Sequence, residues 1–395
     1  MMGSLYSGAV PSPLGTGKTS LVFVGDSITW GHGLNQTQTW AYLLQQKVNA
    51  KTGLTPVRWG NASSLDICAR YVHMDDTTTS PFNGGQPPGG GTLLGSSGAT
   101  GSANGPFKDT TSNSAGGNVS GDSGYTTPCI TLASGNSITF SANFPTASAT
   151  YYAVIRLEGS GAFTLSGSTG SGAAWSFSNT GLTGPRAISS FTGPSDAGVT
   201  HPMSITCTSG TVYITAMQIT PAWPSNHVLV HIAGRNSYAL SDFADASGSA
   251  IAQEIQNQTL IDPGDSGTSP VFVLSVGAVS MYDAANSRQL TPPQYTSQLT
   301  TLVTNLKTTG TNTGRVILTV PLLTGNPSSW PLLSSYTVDS YRQAIIGVAK
   351  SLGLSYIDLT QANLLSGDFQ SDNLHPNASG AQKIANYYAK VLGLW

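Results

Sequence analysis

The chain has 395 residues, of which 9% are charged, and its formal net charge at pH 7 is -2. A chain of this length predicts two domains or one large domain with an insertion. The charged fraction is far below the about 25% of an average soluble protein. No basic cluster is present, so the sequence lacks the positive surface that nucleic-acid binding requires, and no nucleic-acid partner is expected.

The abundance of Gly, Ser and Thr predicts a surface covered by hydroxyl and amide groups, which is typical of secreted proteins. No apolar stretch of about 18 residues exists, so no membrane span is expected. Residues 1–20 contain no apolar core of a signal peptide. We therefore predict an extracellular, cell-envelope or virion-associated protein whose signal was removed or which is exported by another route.

The first part of the chain alternates strand and helix. The apolar run 21–24 ends at Gly25 and predicts a buried strand that places Ser27 at the carboxyl edge of a sheet, where open α/β sheets hold their active sites. A second strand is predicted at 57–59. Between them, apolar side chains at helical spacing predict a helix that ends before Gly53: Trp40, Leu43, Leu44 and Val48.

From about residue 77 the helical periodicity disappears. Turn residues then separate six β-prone runs, which predict an inserted antiparallel sandwich or small barrel: 130–132, 137–140, 151–157, 162–165, 203–207 and 212–219. The aromatic side chains of this region fit either a packed core or a surface that stacks on sugar rings. They are Tyr151, Tyr152, Trp175, Tyr213 and, at the exit, Trp223.

After Trp223 the alternation of strand and helix resumes. Strands are predicted at 228–232, 271–276, 315–320 and 356–358. Apolar stripes predict three helices between and after them, through Tyr295 to Leu306, Val338 to Val348, and Ile384 to Leu392. The pattern indicates a parallel sheet covered on both faces, in a domain formed by 1–95 and 223–395 and interrupted by an all-β insert at 96–222.

A nucleophilic serine needs a base within hydrogen-bond reach and a group that orients the base. His375 stands just before the last helix, and Asp372 precedes it by three residues, so that one turn can hold both. Each residue also has a simpler interpretation, because Ser27 and Asp372 are common capping residues and His375 fits an exposed loop. The pairing of two strand-end motifs from opposite ends of the chain favours catalysis.

These motifs resemble those of the SGNH hydrolases, in the class of GDSL esterases and acetylesterases. Gly25-Asp26-Ser27 matches the first sequence block of that family, Gly234-Arg235-Asn236 the third, and Asp372-Asn373-Leu374-His375 the last. Three blocks stand in the family's order, and none of them lies in the β insert.

The resemblance implies a flavodoxin-like three-layer sandwich with a parallel sheet, interrupted by an inserted all-β sandwich. It also implies Ser27 as the nucleophile, His375 as the general base, Asp372 as its orienting partner and Asn236 as an oxyanion donor. Asn236 could instead be only a turn residue after a strand. No metal or organic cofactor is implied.

The second block departs from the family pattern. Asp66 stands where the family has the Gly whose backbone N–H binds the oxyanion, with Gly60 and Ser63 as substitutes if the loop is registered differently. A rival for the third block, 275–279, also ends a strand but has no Asn. The Gly-Asp-Ser triplets at 121–123 and 264–266 follow no strand and are expected to be loops.

The three cysteines show no metal-ligand spacing. Cys129 and Cys207 either pair with each other or are two small buried residues. The resemblance implies a serine esterase that removes acyl groups, with acetyl favoured, from a carbohydrate or a small ester. Two alternatives stay open: a lipolytic short-chain esterase or thioesterase, and a glycan-binding protein whose esterase site has decayed.

Overall fold

The structure is a computed structural model that describes residues 19–34, 38–55, 58–59, 96–97, 130–158, 161–168, 174–179, 186–221, 226–234, 239–244, 270–285, 287–308 and 315–394. Its strands in chain order are β1 Thr19–Gly25, β2 Arg58–Trp59, β3 Ser96–Ser97, β4 Ile130–Ala133, β5 Ser137–Asn143, β6 Thr150–Glu158, β7 Ala162–Ser168, β8 Ala174–Asn179, β9 Arg186–Thr192, β10 Thr200–Ser209, β11 Thr211–Pro221, β12 Val228–Gly234, β13 Val271–Ser275, β14 Arg315–Val320 and β15 Ser355–Asp358.

The helices are α1 Ser27–Trp30, α2 Trp40–Thr52, α3 Leu240–Ala244, α4 Ala278–Tyr282, α5 Pro292–Thr308, α6 Val338–Ser351 and α7 Ala378–Val391. Two short 3₁₀ helices span Leu359–Ala362 and Ser366–Asp368. None of the helices in the described ranges is long and apolar enough to cross a bilayer.

Five strands form a parallel sheet in the order β12-β1-β13-β14-β15. This order is flavodoxin-like, because the first strand lies between the second and the third in chain order. Consecutive residues of β1 from Leu21 to Val24 are fully buried, so both faces of the sheet are covered. The predicted α/β fold with a parallel sheet is confirmed, as are its strands at 228–232, 271–276, 315–320 and 356–358.

The helices that cover the sheet bury their predicted stripes. On α5 the exposed fraction is 2% or less for Tyr295, Leu299, Leu302 and Leu306. Helix α2 packs against α7, while α5 packs against α6. The predicted stop of α2 is also confirmed, because Gly53 caps it in the left-handed region at φ 73°.

The remaining strands form two antiparallel sheets. One contains β2, β3, β5, β7, β8 and β10, and the other has the order β4-β11-β6-β9. All six strands predicted for the insert are confirmed, whereas β8 and β9 were not anticipated, because their short runs mix apolar residues with Ser and Thr. Phe144, next to β5, contacts the rings of Tyr151 on β6 and Phe191 on β9 at centroid distances of 4.9 and 6.1 Å. Tyr151 is fully buried and therefore belongs to the core.

A strand does form in the predicted range 57–59, but it does not belong to the parallel sheet, and the prediction is corrected on this point. Its described residues form β2, which pairs antiparallel with β5 through Arg58 with Asn143 and Trp59 with Ala142. The second strand of the parallel sheet along the chain is instead β12. So short a strand carries no periodicity from which its partner can be predicted. The boundaries 1–95, 96–222 and 223–395 stay predictions, since 60–95, 98–129 and 222–225 lie outside the described residues.

Cys207 is buried, and its Sγ donates to the carbonyl of Ser209 at 3.3 Å. Cys68 and Cys129 lie outside the described residues, so the pairing of Cys129 with Cys207 stays open.

Candidate active site

The turn that carries the predicted nucleophile, residues 25–27, joins β1 to α1 and is called the nucleophile turn below. Asp26 is the N-cap of α1, and its Oδ1 accepts the Ile28 N–H at 3.1 Å. A Cβ at Gly25 would collide with the Thr29 side chain and with the Ser275 carbonyl, so only glycine lets the strand end approach β13 this closely. Ser27 consequently lies at the carboxyl edge of the sheet, as predicted, with 5% of its surface exposed.

The turn that carries the predicted general base, residues 369–376, precedes α7 and is called the base turn below. The Asp372 Oδ1 atom accepts the N–H groups of Leu374 at 2.9 Å and His375 at 3.0 Å, while Asn373 adopts the left-handed conformation at φ 60°. The loop after β14 makes a hydrogen bond to the backbone of this turn. Trp330 Nε1 donates to the Asp372 carbonyl at 2.6 Å. These contacts fix the backbone on which the Asp372 and His375 side chains stand.

The two turns bring the three predicted side chains together. His375 Nε2 lies 2.7 Å from Ser27 Oγ, across 348 positions of sequence, and His375 Nδ1 lies 2.6 Å from Asp372 Oδ2. Because a carboxylate only accepts hydrogen bonds, Nδ1 carries the proton and Nε2 is left to accept the Ser27 hydroxyl proton. This is the tautomer that a general base needs.

The Asp372 carboxylate is ionised over the whole neutral and mildly acidic range. Partial burial opposes its charge, but the hydrogen bond from His375 and the N–H groups of Leu374 and His375 outweigh burial and lower the pKa of Asp372 to about 2. A charged Asp372 accepts the hydrogen bond from His375 Nδ1 and thereby holds the imidazole ring.

Asp26 is a second carboxylate beside Ser27. It is 1% exposed, and burial raises its pKa, although N–H groups of Ile28 and Ala278 counteract part of the shift. Its Oδ2 accepts the Ala278 N–H at 2.9 Å, which ties the nucleophile turn to the start of α4. The site therefore lies between β1 and β13, at the topological switch point of the sheet.

The segment 275–279, which the sequence offered only as a rival for the third block, thus supports the nucleophile turn. Gly277 adopts φ 109°, and a Cβ there would collide with the Tyr295 hydroxyl. The Tyr295 hydroxyl in turn donates to the Val276 carbonyl at 2.9 Å. A Gly directly after a buried strand was the available sequence signal for this role.

Asn236 and Asp66 lie outside the described residues, as do Gly60 and Ser63, so the oxyanion donors stay predictions. The strand that leads to Asn236 ends at Gly234, which is in register with Gly25. After residues 235–238, which are not described, the chain continues into α3, where the Asp242 Oδ2 atom accepts the Ala239 N–H at 2.7 Å. Among the residues that the structure describes, no group of three or more His, Cys, Asp or Glu side chains is placed to bind a metal ion.

Neither a protein-family model nor a curated protein matches the sequence. Among solved structures, the chain is similar to a peptidoglycan O-acetylesterase, with 13% identity and a TM-score of 0.57 over 97% of this chain and 92% of that chain. This likeness shows the fold: the chain has the SGNH hydrolase fold.

Two further likenesses have TM-scores below 0.5 and do not bear on the fold. One is to the Bacillus subtilis protein YxiM, with 15% identity over 67% of this chain and 87% of that chain and a TM-score of 0.34. The other is to a carbohydrate-binding module of a Cellvibrio mixtus lichenase, with 13% identity over 33% of this chain and 92% of that chain and a TM-score of 0.22.

Proposed function

We propose that the protein is a serine esterase that hydrolyses acyl esters, with acetyl as the favoured group, on a carbohydrate or polysaccharide. One observation carries the proposal: Ser27, His375 and Asp372 form a continuous hydrogen-bonded chain with distances of 2.7 and 2.6 Å. Selection does not maintain the catalytic geometry of an esterase site that has decayed. The intact geometry therefore argues against the alternative of a glycan-binding protein without esterase activity.

In the proposed reaction, Ser27 Oγ attacks the ester carbonyl carbon and its proton passes to His375 Nε2. Asp372 stabilises the resulting imidazolium through Nδ1. When the tetrahedral intermediate collapses, Nε2 returns the proton to the leaving alcohol and the acyl group stays on Ser27. A water molecule, deprotonated by Nε2, then attacks the acyl carbon, releases the carboxylic acid and regenerates the Ser27 hydroxyl.

The oxyanion requires donors aimed at the developing charge. Ser27 is the first residue of α1, so its backbone N–H has no acceptor within the helix and can serve as one donor. The Asn236 side chain and the Asp66 backbone are the other proposed donors. The oxygens of the nearby Asp26 carboxylate accept the N–H groups of Ile28 and Ala278, whose dipoles offset part of its negative charge.

The carbohydrate part of the proposal has two supports. A protein of known structure that shares this fold over nearly the full length is named a peptidoglycan O-acetylesterase. The low charge and the antiparallel sheets of the insert also fit an extracellular enzyme that acts on a polymer. We therefore propose that the enzyme acts outside the cell or at its envelope. The proposed reaction uses no metal or organic cofactor.

Hydrolysis of p-nitrophenyl acetate tests the nucleophile. We expect Ser27→Ala to lower kcat by about 10⁶-fold, as the loss of a catalytic serine does elsewhere. Ser351→Ala is the matched control, since the Ser351 hydroxyl donates to the Val348 carbonyl at the end of α6. Undiminished activity of Ser27→Ala would refute the proposed mechanism.

Substrate class is tested separately with the wild-type protein. Acetate release from an O-acetylated polysaccharide is compared with hydrolysis of acetate, butyrate and octanoate esters of p-nitrophenol. Release of acetate from the polymer is the expected result. A preference for octanoate without polymer activity would favour the lipolytic alternative.

A further inference from the structure

His32 lies between the nucleophile turn and the base turn and contacts both. Its backbone N–H donates to the Ser27 carbonyl at 3.0 Å, and its own carbonyl accepts Gln370 Nε2 at 2.7 Å. Its imidazole ring lies 4.5 Å from the His375 ring, centroid to centroid, with 42° between the planes. One residue thus joins the backbone of the nucleophile to the side chain of the base.

The backbone around His32 is built for this position. Gly31 and Gly33 both have positive φ, 84° and 73°, which other residues rarely adopt. A Cβ at Gly33 would collide with the Gln370 side-chain amide. Gln370 belongs to the base turn, because its N–H donates to the His375 carbonyl at 2.8 Å. The two glycines therefore allow the end of α1 to fit closely against the base turn.

The orientation of the His375 ring depends on such contacts. The second side-chain torsion of histidine has broad energy wells, so that the rotamer alone does not fix the ring. In the free enzyme, hydrogen bonds to Ser27 and Asp372 hold its two nitrogens. Once Ser27 is acylated, its hydroxyl proton is gone and the bond at Nε2 is lost. The contacts with Asp372 and with the neighbouring His32 ring do not depend on that proton and persist.

We propose that His32 is a positioning residue of this site, whose imidazole packs against His375 and keeps Nε2 directed at Ser27 and, after acylation, at the attacking water. The proposal rests on the proposed esterase function. It assigns no proton transfer to His32, which acts through the position of His375.

Two variants separate ring packing from other roles of His32. His32→Ala removes the ring, and we expect kcat for p-nitrophenyl acetate to fall about tenfold with KM changed less than twofold, since small misplacements of a catalytic group lower the rate strongly. His32→Phe retains a flat ring and is expected to keep at least about half of the wild-type kcat. Thermal unfolding of each variant reports whether the fold is intact.

Tyr336→Ala is the control for loss of an aromatic contact, because Tyr336 packs against Tyr341 at 6.4 Å and touches neither Ser27 nor His375. Its kcat is expected to stay at the wild-type value. If His32→Ala retains wild-type kcat, or if His32→Phe falls as far as His32→Ala with an unchanged melting temperature, the proposal is overturned.

A proton NMR measurement makes the test independent of turnover. In Ser27→Ala protein, the far-downfield resonance of the His375 Nδ1 proton bound to Asp372 reports the orientation of the ring. We expect it to be sharp when His32 is present and broadened in the Ser27→Ala, His32→Ala double variant. If the wild-type protein hydrolyses no ester but this resonance responds to His32, the proposed function fails and the positioning stands. An unchanged resonance contradicts the positioning itself.

Discussion

The Asp26 Oδ2 atom accepts a hydrogen bond from the backbone N–H of Ala278 at 2.9 Å, across 252 positions of sequence. The Oδ1 atom of the same carboxylate accepts the Ile28 N–H. A buried carboxylate is costly unless its oxygens are hydrogen-bonded, so these two N–H groups make the charge tolerable. Asp26 therefore joins the nucleophile turn to the loop after β13.

Asp26→Asn is predicted to weaken both the fold and the activity. The new Nδ2 group donates rather than accepts, so that one of the two N–H groups loses its partner inside the protein. We expect the free energy of unfolding in urea to fall by about 1–3 kcal/mol, and kcat for p-nitrophenyl acetate to fall at least about tenfold as Ser27 shifts. Asp339→Asn, at a carboxylate that is 66% exposed, is the control. An Asp26→Asn protein with wild-type stability contradicts this account.

Gly277 and Gly353 offer a matched pair for backbone strain. Both have positive φ, 109° and 64°, but a Cβ at Gly277 meets the Tyr295 hydroxyl, whereas at Gly353 no atom lies within 4 Å. Gly353→Ala is expected to lower the free energy of unfolding by about 1–2 kcal/mol, the cost of a left-handed alanine. Gly277→Ala adds a collision in a buried site and is expected to cost at least about 3 kcal/mol in total. Equal losses in urea unfolding would contradict the role of Tyr295.

Trp330→Phe tests how far the loop after β14 positions the base turn. The substitution keeps an aromatic ring but removes the indole N–H that donates to the Asp372 carbonyl. A lost hydrogen bond of this kind costs about 0.5–1.5 kcal/mol. Because the bond holds the backbone that carries His375, we expect a cost of about this size in the activation free energy, so that kcat falls about threefold to tenfold with KM unchanged. Tyr336→Phe serves as the control. A change in KM alone would indicate instead that Trp330 contacts the substrate.

The fold was largely predictable because its main strands carry their own signals. The run at 21–24 is continuously apolar, and those at 228–232, 271–276 and 315–320 are mostly apolar, as is typical of strands buried on both faces. By contrast, β2 is two residues long, and its partner β5 lies about eighty positions further along. Nothing local distinguishes a short strand of one sheet from that of another, which is why its placement was wrong.

The candidate site was predictable where its residues stand in local motifs. Ser27 follows a strand, and Asp372 with His375 forms a single turn, so their meeting required only that both turns reach the same sheet edge. The supporting contacts were not predictable in this way. His32 and Trp330 contact residues that are far away in the sequence, and the residues next to them in the chain show no pattern that indicates these partners.

The acid stability of the protein is predicted to depend in part on Asp372. Its pKa in the folded protein is lowered to about 2 from 3.8, so its ionised form stabilises the fold. This contribution is fully present above about pH 4, where an unfolded Asp is ionised, and is lost as the pH falls through about 2. We expect Asp372→Asn to melt at a lower temperature than wild type at pH 5, with the difference closing by about pH 2. A gap that persists unchanged to pH 2 would mean that Asp372 stabilises the fold by packing rather than by its charge.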